Sequence, residues 1–108
     1  MKTGAQLIAD ERERQVENEG YSSERDDSYK KGELTMAGIV YATAATSSTG
    51  IRAQFRIMAE NNEPIPHFPW ESKHLKLGDD CYRSRIKELT KAGALIAAEI
   101  DKLQRQSN

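Results

Sequence analysis

The chain has 108 residues, of which 37% are hydrophobic and 31% charged, so we expect one domain whose core is thin or is shared with a partner. The 16 basic and 17 acidic residues leave a formal net charge of −1. This balance provides no overall field for nucleic acid or an anionic membrane, and argues against both as partners.

The first predicted helix runs from Thr3 to Asn18. The Thr3 hydroxyl is suited to cap it, and Gln6, three residues on, completes a capping box. Arg12 and Gln15 fall on the stripe that should face the core. Two interpretations remain open: the helix leaves the core at its C-terminal end, or a polar site lies inside a bundle.

Gly20 is suited to end this helix. Residues 21–28 are rich in Ser, Asp and Glu and predict a loop, with Asp27 or Ser28 capping the next helix. This second helix covers about residues 29–45 and carries many Ala and Gly residues, which would allow another helix to approach closely.

A short helix is predicted from Ile51 to Glu60, and residues 61–70 follow it with three prolines that forbid regular helix. Such a segment is typical of a strap packed across a bundle, here anchored by Phe68 and Trp70. The alternative is a presented loop on which these two aromatic residues bind a partner.

The last helix has the clearest pattern, and Asp79 or Asp80 is expected to cap it. Its apolar residues alternate in steps of four and three, which predicts a heptad seam. They are Tyr82, Ile86, Leu89, Gly93, Ile96, Ile100 and Leu103, and Ala92 and Leu95 widen the stripe, as a bundle helix needs. The charged residues between them should fill the outer faces, and Gly93 should mark a close crossing with the second helix. We expect a homo-oligomer formed through this seam.

Strict alternation of apolar and polar residues over a strand length is not found in any segment. The predicted fold is therefore all-α. We expect a single domain over residues 1–108: a small bundle of three long helices, one short helix and a proline-rich strap.

Acidic residues are dense between positions 11 and 33 and raise the possibility of a metal site. Glu13 and Glu17 lie one helical turn apart, and Asp27 and Glu33 follow in the next loop and helix start. Mg²⁺ prefers such oxygen ligands if the carboxylates converge. Acidic residues that alternate with arginine more commonly form a solvated face with ion pairs.

Arginine side chains in the same region predict an anion site, because a guanidinium binds phosphate or carboxylate in a bidentate way. Arg12, Arg14 and Arg25 are the candidates, with Gln15 and Tyr21 orienting the ligand. The structural alternative for Arg12 is a buried ion pair with Glu33 or Asp27.

Catalytic motifs for phosphate loops, nucleophile elbows, zinc proteases or CxxC redox sites are absent from the sequence, so no catalytic residue is assigned. The single cysteine, Cys81, excludes an intrachain disulfide and fits a reducing cytosol. The chain contains no apolar run long enough for a signal peptide or a membrane span. We therefore expect a cytoplasmic protein without a cofactor.

Several short motifs resemble a family of small phage and prophage proteins. They are ERxRQ from Glu11, EGY from Glu19, DD from Asp26, GEL from Gly32, YA from Tyr41, PW from Pro69 and ALIAAEIDKL from Ala94. The function of that family is uncharacterised. The resemblance implies a setting, a phage accessory protein made in the bacterial host cytoplasm, but no chemistry.

A weaker resemblance is to the all-α nucleoside triphosphate pyrophosphohydrolases, oligomeric bundles that bind Mg²⁺ through an EExxE…ExxD arrangement. Glu13 and Glu17 are spaced ExxxE instead, and Lys91 stands where that pattern has an aspartate. A lysine at a ligand position opposes the metal.

Three hypotheses follow from the sequence. The first is a non-enzymatic accessory protein that binds a host protein or a small anionic, nucleotide-type ligand and so modulates host metabolism or defence. The second is a Mg²⁺-dependent nucleotide pyrophosphohydrolase that uses the acidic cluster. The third is a protein–protein interaction module that docks through its seam or through Phe68 and Trp70.

Overall fold

The computed structural model describes residues 1–107, and every regular element among them is helical. The elements are α1 (Gly4–Asn18), α2 (Ser23–Ser28), α3 (Glu33–Thr46), α4 (Thr49–Glu60), a 3₁₀ turn (Ser72–His74) and α5 (Tyr82–Gln106). The predicted all-α bundle is therefore confirmed, with one more short helix than expected.

Helix starts follow the sequence pattern in α1 but not in α5. The Thr3 hydroxyl accepts the backbone N–H of Gln6, and the Gln6 side chain accepts that of Thr3, so the capping box is confirmed. The residue before α5 is Cys81, not Asp79 or Asp80. Asp79 instead accepts the backbone N–H of Cys81 and the hydroxyl of Ser84, which stabilises the turn that leads into the helix.

The segment predicted as a loop over residues 21–28 contains α2. The Ser22 hydroxyl caps this helix by accepting the backbone N–H of Arg25. Tyr29 then leaves the helical conformation, and Gly32, with a φ of 74°, turns the chain into α3. Helix α3 consequently starts later than predicted, and neither Asp27 nor Ser28 caps it.

The core lies mainly between α3 and α5. Helix α3 contributes large and small side chains alternately, and α5 contributes mostly small ones; the buried residues include Leu34, Ala37, Tyr41, Ala92, Leu95 and Ala98. A Cβ atom at Gly38 would lie 3.1 Å from the Ala92 carbonyl oxygen, so the two helices approach closely there. Gly93 faces Ile8 of α1 rather than α3, which corrects the predicted crossing.

Helix α5 turns a different face to the core than the apolar pattern predicts. The residues of the predicted seam are 39–55% exposed at Ile86, Leu89, Ile96, Ile100 and Leu103, and 84% exposed at Tyr82. The buried residues of α5 are instead Glu88, Ala92, Ala94, Leu95, Ala98, Glu99 and Lys102, of which only Ala92 and Leu95 were predicted to belong to the inward stripe. The prediction that the charged residues occupy outer faces was therefore wrong for Glu88, Glu99 and Lys102.

The buried charges on α5 are tolerated because each has a partner. Glu88 pairs with Arg52 at 2.5 Å, and Lys102 pairs with Glu99 at 2.8 Å. Lys102 also donates to the backbone carbonyl of Tyr29 at 2.5 Å. A paired and hydrogen-bonded charge avoids much of the cost of leaving water, so this stripe can serve as the inner face.

The chain between α4 and α5 crosses the bundle as the predicted strap. Ile65 and Leu75 are its buried anchors, while Phe68 and Trp70 are half-buried. The Tyr41 hydroxyl donates to a strap carbonyl at 3.3 Å, that of His74, and accepts the backbone N–H of Lys76 at 3.0 Å. These contacts hold the strap against α3 and close one side of a cavity.

Candidate ligand-binding site

A cavity of about 480 Å³ opens between α2, α3, α5 and the strap. Aromatic and charged side chains dominate its lining, which comprises Tyr21, Arg25, Tyr29, Tyr41, Phe68, Trp70, Glu71, His74, Lys91 and Leu95. Five of these ten residues carry aromatic rings other than imidazole. The cavity joins candidates that the sequence analysis had assigned to different roles, Tyr21 and Arg25 to a ligand and Phe68 and Trp70 to a partner.

Four of the rings form a chain of edge-on contacts. The ring of Trp70 lies 5.4 Å from that of Tyr29 and 5.9 Å from that of Phe68, measured between centroids. Phe68 in turn lies 6.4 Å from Tyr41. Tilted pairs at these distances are favourable for aromatic quadrupoles, so the rings hold one another in place.

Arg25 places a planar cation among these rings. Its guanidinium carbon lies 3.8 Å from the centroid of Tyr21 and 5.0 Å from that of Tyr29. The same guanidinium contacts the buried Asp26 carboxylate at 3.2 Å. Stacking and ion pairing together orient the group while its remaining N–H bonds stay available to an anion.

Arg12 does not line this cavity but contacts Asp26, the carboxylate that also pairs with Arg25. Its guanidinium donates to the second Asp26 oxygen at 3.2 Å and lies 3.5 Å from the Asp101 carboxylate. The buried partner is therefore Asp26 rather than Glu33 or Asp27, the pairs considered from sequence. Since Arg12 and Arg25 share Asp26, Arg12 acts on the cavity through the position of Arg25.

Gln15 also lies outside the aromatic cavity and affects it through the position of Tyr21. Its side chain is fully buried, as the inward stripe of the first helix indicated, and its amide donates to Glu11 at 3.3 Å. Its backbone carbonyl accepts the N–H of Tyr21 at 3.0 Å, which fixes the chain where Tyr21 enters the cavity wall. Burial raises the pKa of the Tyr21 phenol, with Glu19 adding to the effect, so the hydroxyl stays protonated at neutral pH.

Arg14 faces a second cavity, of about 620 Å³, on the other side of Lys91. It is bound by two carboxylates, Glu11 at 2.7 Å and Glu19 at 2.9 Å. The ion pair with Arg14 lowers the pKa of Glu11, so this carboxyl group is ionised at neutral pH. Arg14 is therefore already neutralised by its own chain, which makes it a weaker candidate for an anion than Arg25.

Three lysines border the second cavity without a salt bridge to any residue between 1 and 107: Lys76, Lys87 and Lys91. Lys91 lines both cavities, and its ammonium nitrogen lies 5.0 Å from the Tyr41 ring centroid. The two cavities are therefore adjacent, with a cation at their shared wall.

Two strap residues complete the polar lining of the aromatic cavity, Glu71 and His74. The Asn62 side-chain amide donates to Glu71 at 3.1 Å and, with nearby Lys73, lowers the pKa of that carboxyl group. Glu71 is therefore ionised at neutral pH and can accept hydrogen bonds from a ligand. The Trp70 indole N–H is buried and has no hydrogen-bond partner in residues 1–107.

The four carboxylates considered as metal ligands do not come together. Asp27 pairs with Arg105 at 2.7 Å, Glu33 accepts the backbone N–H of Lys31 at 2.6 Å, and Glu13 and Glu17 are exposed on α1. Within the described part of the chain, no group of three or more His, Cys, Asp or Glu residues is placed to hold a metal ion. The predicted convergence fails because α2 separates α1 from the start of α3.

Comparison of the chain with models of known families, with curated proteins and with solved structures found no match. None of the helices between residues 1 and 107 combines the length and apolar character needed to cross a membrane. Assignment of the site therefore depends on its geometry.

Sequence reasoning missed six of the ten residues that line the aromatic cavity, namely Tyr29, Tyr41, Glu71, His74, Lys91 and Leu95. The sequence contains one indication for Lys91. It lies four residues before Leu95, so the two side chains share a face of α5 beside the buried residues. Tyr29 gave no signal, because it was expected to begin a helix and instead ends α2.

Proposed function

We propose that this protein is a non-enzymatic binding protein for a small anionic ligand that carries a flat ring, such as a nucleotide. The observation that carries the proposal is the aromatic cavity, in which the Arg25 guanidinium lies over the rings of Tyr21, Tyr29 and Trp70. Two of these rings, Tyr29 and Trp70, belong to the chain of four packed rings. Its volume of about 480 Å³ falls within the range of small-molecule sites.

The residue types in the aromatic cavity support both parts of such a ligand. A nucleobase gains from stacking on rings such as Trp70 and Tyr29. Its polar edge would meet Glu71, an acceptor, and His74. Phe68 and Trp70 are half-buried against other rings, which favours a small ligand over a docked protein as their partner.

The unpaired lysines support an anionic group beyond the ring. A ligand whose base occupies the aromatic cavity would extend its phosphates past Lys91 toward Lys76 and Lys87. These ammonium groups lack salt bridges with residues 1–107, and although the charge of Lys91 acts on Glu11, a phosphate would give Lys76 and Lys87 a direct ionic partner.

The resemblance to phage accessory proteins suggests the biological setting in which such a ligand would be bound. Tyr21, Tyr41 and Trp70, which carry part of the resemblance to phage accessory proteins, all line the aromatic cavity. A phage protein that sequesters or senses a host nucleotide would modulate host metabolism or defence.

Calorimetric titration with ATP, GTP, CTP and UTP tests the proposal, with Trp70 fluorescence as a second readout because it is the single tryptophan. Adenosine and inorganic tripolyphosphate test the two halves separately, and each should bind more weakly than ATP. We expect Trp70→Ala and Arg25→Ala to weaken binding about 10-fold or more, since stacking on one ring contributes ~1–3 kcal/mol.

The matched control is Arg83→Ala, which removes an exposed arginine at the start of α5. It should leave affinity and fold unchanged. Absence of binding by all four triphosphates, or binding that survives Arg25→Ala and Trp70→Ala in folded protein, would contradict the proposal. Release of pyrophosphate in the presence of Mg²⁺ would instead support the hydrolase hypothesis.

A further inference from the structure

Helix α5 carries two stripes with the same spacing, and the monomer uses only one of them. The buried stripe steps through Glu88, Ala92, Leu95, Glu99 and Lys102. The exposed stripe, here called the α5 seam, comprises Tyr82, Ile86, Leu89, Ile96, Ile100 and Leu103, three on either side of Gly93. Apolar residues in alternating steps of four and three form the surface with which one helix packs along another.

The α5 seam continues onto the neighbouring helices. Gly38 of α3 lies against Ile96, and the next residue, Ile39, is itself exposed. On the other side, Ile8 of α1 fills the space left by the missing side chain at Gly93. The result is an apolar surface along a helix of 25 residues, which is about 37 Å long. Contiguous apolar surface of this extent marks an interaction site.

We infer that the α5 seam binds a second copy of this chain, with the two α5 helices antiparallel and the two-fold axis midway between Leu89 and Ile96. The apolar residues of the seam are nearly symmetric about that point, where Ile8 of α1 covers Gly93. Reversal places Leu89 opposite Ile96, Ile86 opposite Ile100, and Tyr82 opposite Leu103 of the other copy. Each large apolar residue thus meets another, as a self-complementary interface requires.

Charge favours the antiparallel orientation over the parallel one. The exposed residue Arg83 beside the first half of the seam is basic, whereas Asp101 beside the second half is acidic and half-exposed. An antiparallel pair brings Arg83 near Asp101 of the other copy. A parallel pair would bring Arg83 near Arg83, which is unfavourable.

The proposed dimer leaves both cavities open. Lys91 and Leu95, which line the aromatic cavity, lie on the side of α5 away from Leu89 and Ile100, given 3.6 residues per turn. Dimerisation and ligand binding are therefore separate properties. A stable interface removes ~800 Å² from each partner, which a helix of this length and its two neighbours can supply.

Sedimentation velocity of the purified chain at micromolar concentration tests the inference. We expect twice the monomer mass for the unmodified chain, and the monomer mass for Ile100→Glu and for Leu103→Glu, with unchanged helical circular dichroism. The matched control is Ile57→Glu on α4, an equally exposed apolar residue away from the seam, which should remain dimeric. A monomer for the unmodified chain, or a dimer that survives both seam variants, would overturn the inference.

Disulfide cross-linking tests the orientation in a Cys81→Ser background, which removes the native thiol. A mixture of Leu89→Cys and Ile96→Cys proteins should form the mixed disulfide under mild oxidation. Preferential cross-linking of each variant to itself would support a parallel pair and overturn the antiparallel arrangement.

Discussion

At the scale of single residues, the fold depends most visibly on Arg52. This guanidinium is fully buried and donates to both oxygens of Glu88, to Asp80 at 2.8 Å and to the backbone carbonyls of Ala44 and Asp79. One side chain of α4 thus joins α3, α5 and the end of the strap. The hydrogen bond with Glu88, the strongest of several contributions, raises the pKa of Arg52, so it stays charged.

Loss of either partner should leave a buried charge without compensation. We expect Arg52→Met and Glu88→Gln to lower the free energy of unfolding by about 3–5 kcal/mol each, measured by urea denaturation. The double variant should cost less than the sum, because both changes break the same contact. The exposed Arg83→Met should change stability by less than about 0.5 kcal/mol. Near-normal stability of Arg52→Met would contradict the role assigned to it.

At the scale of elements, two glycines show where the backbone needs a residue without a side chain and where it does not. Gly20 follows α1 with a φ of 69° and directs the chain so that Tyr21 enters the cavity wall. Gly50 lies in the first turn of α4 with an ordinary helical backbone and open space where a Cβ would stand. Only the first of these positions uses the freedom of glycine.

Alanine at these two positions should therefore have opposite effects. Gly20→Ala forces a side chain into the left-handed region and should destabilise the protein by about 1–2 kcal/mol. Gly50→Ala should stabilise it by up to ~1 kcal/mol, since alanine favours the helix and restricts the unfolded chain. Thermal unfolding monitored by circular dichroism at 222 nm measures both. A loss of stability in both variants would show that α4 needs its glycine.

At the scale of the whole molecule, ion pairs and hydrogen bonds make the fold sensitive to acid. Hydrogen bonds from Cys81 and Ser84 lower the pKa of Asp79 to about 2, and Arg56, with Arg52, lowers that of Asp80. Glu11 and Glu71 have lowered pKa values as well. Each group binds a proton more readily in the unfolded chain than in the folded one.

Stability should therefore be constant above about pH 5 and fall as the pH drops from about 4.5 toward 2, as unfolding takes up protons. Urea denaturation at pH 7, 4.5 and 3 measures this slope. Asp79→Asn should reduce it, whereas the exposed Glu60→Gln should not. Stability that rises on acidification would contradict the assigned direction of these pKa shifts.

The sequence by itself determined the local structure where short-range chemistry dominates. The capping box at Thr3, the end of α1 shortly before Gly20 and the non-helical, proline-rich segment each depend on residues within a few positions of one another. Helix α2 escaped prediction because its six residues, SERDDS, are as suited to a turn as to a helix.

Only the tertiary structure decided which stripe of α5 is buried and where the cavity lies. Both stripes have the same spacing, and the core selected the one with Glu88 and Lys102, since Arg52 of α4 and the Tyr29 carbonyl after α2 supply partners for these charges. The aromatic cavity joins residues as distant as Tyr21, Trp70 and Lys91, and their proximity follows from how the strap and α2 pack against α3 and α5. Periodicity along the chain contains no information about such contacts, because they depend on the relative placement of separate elements.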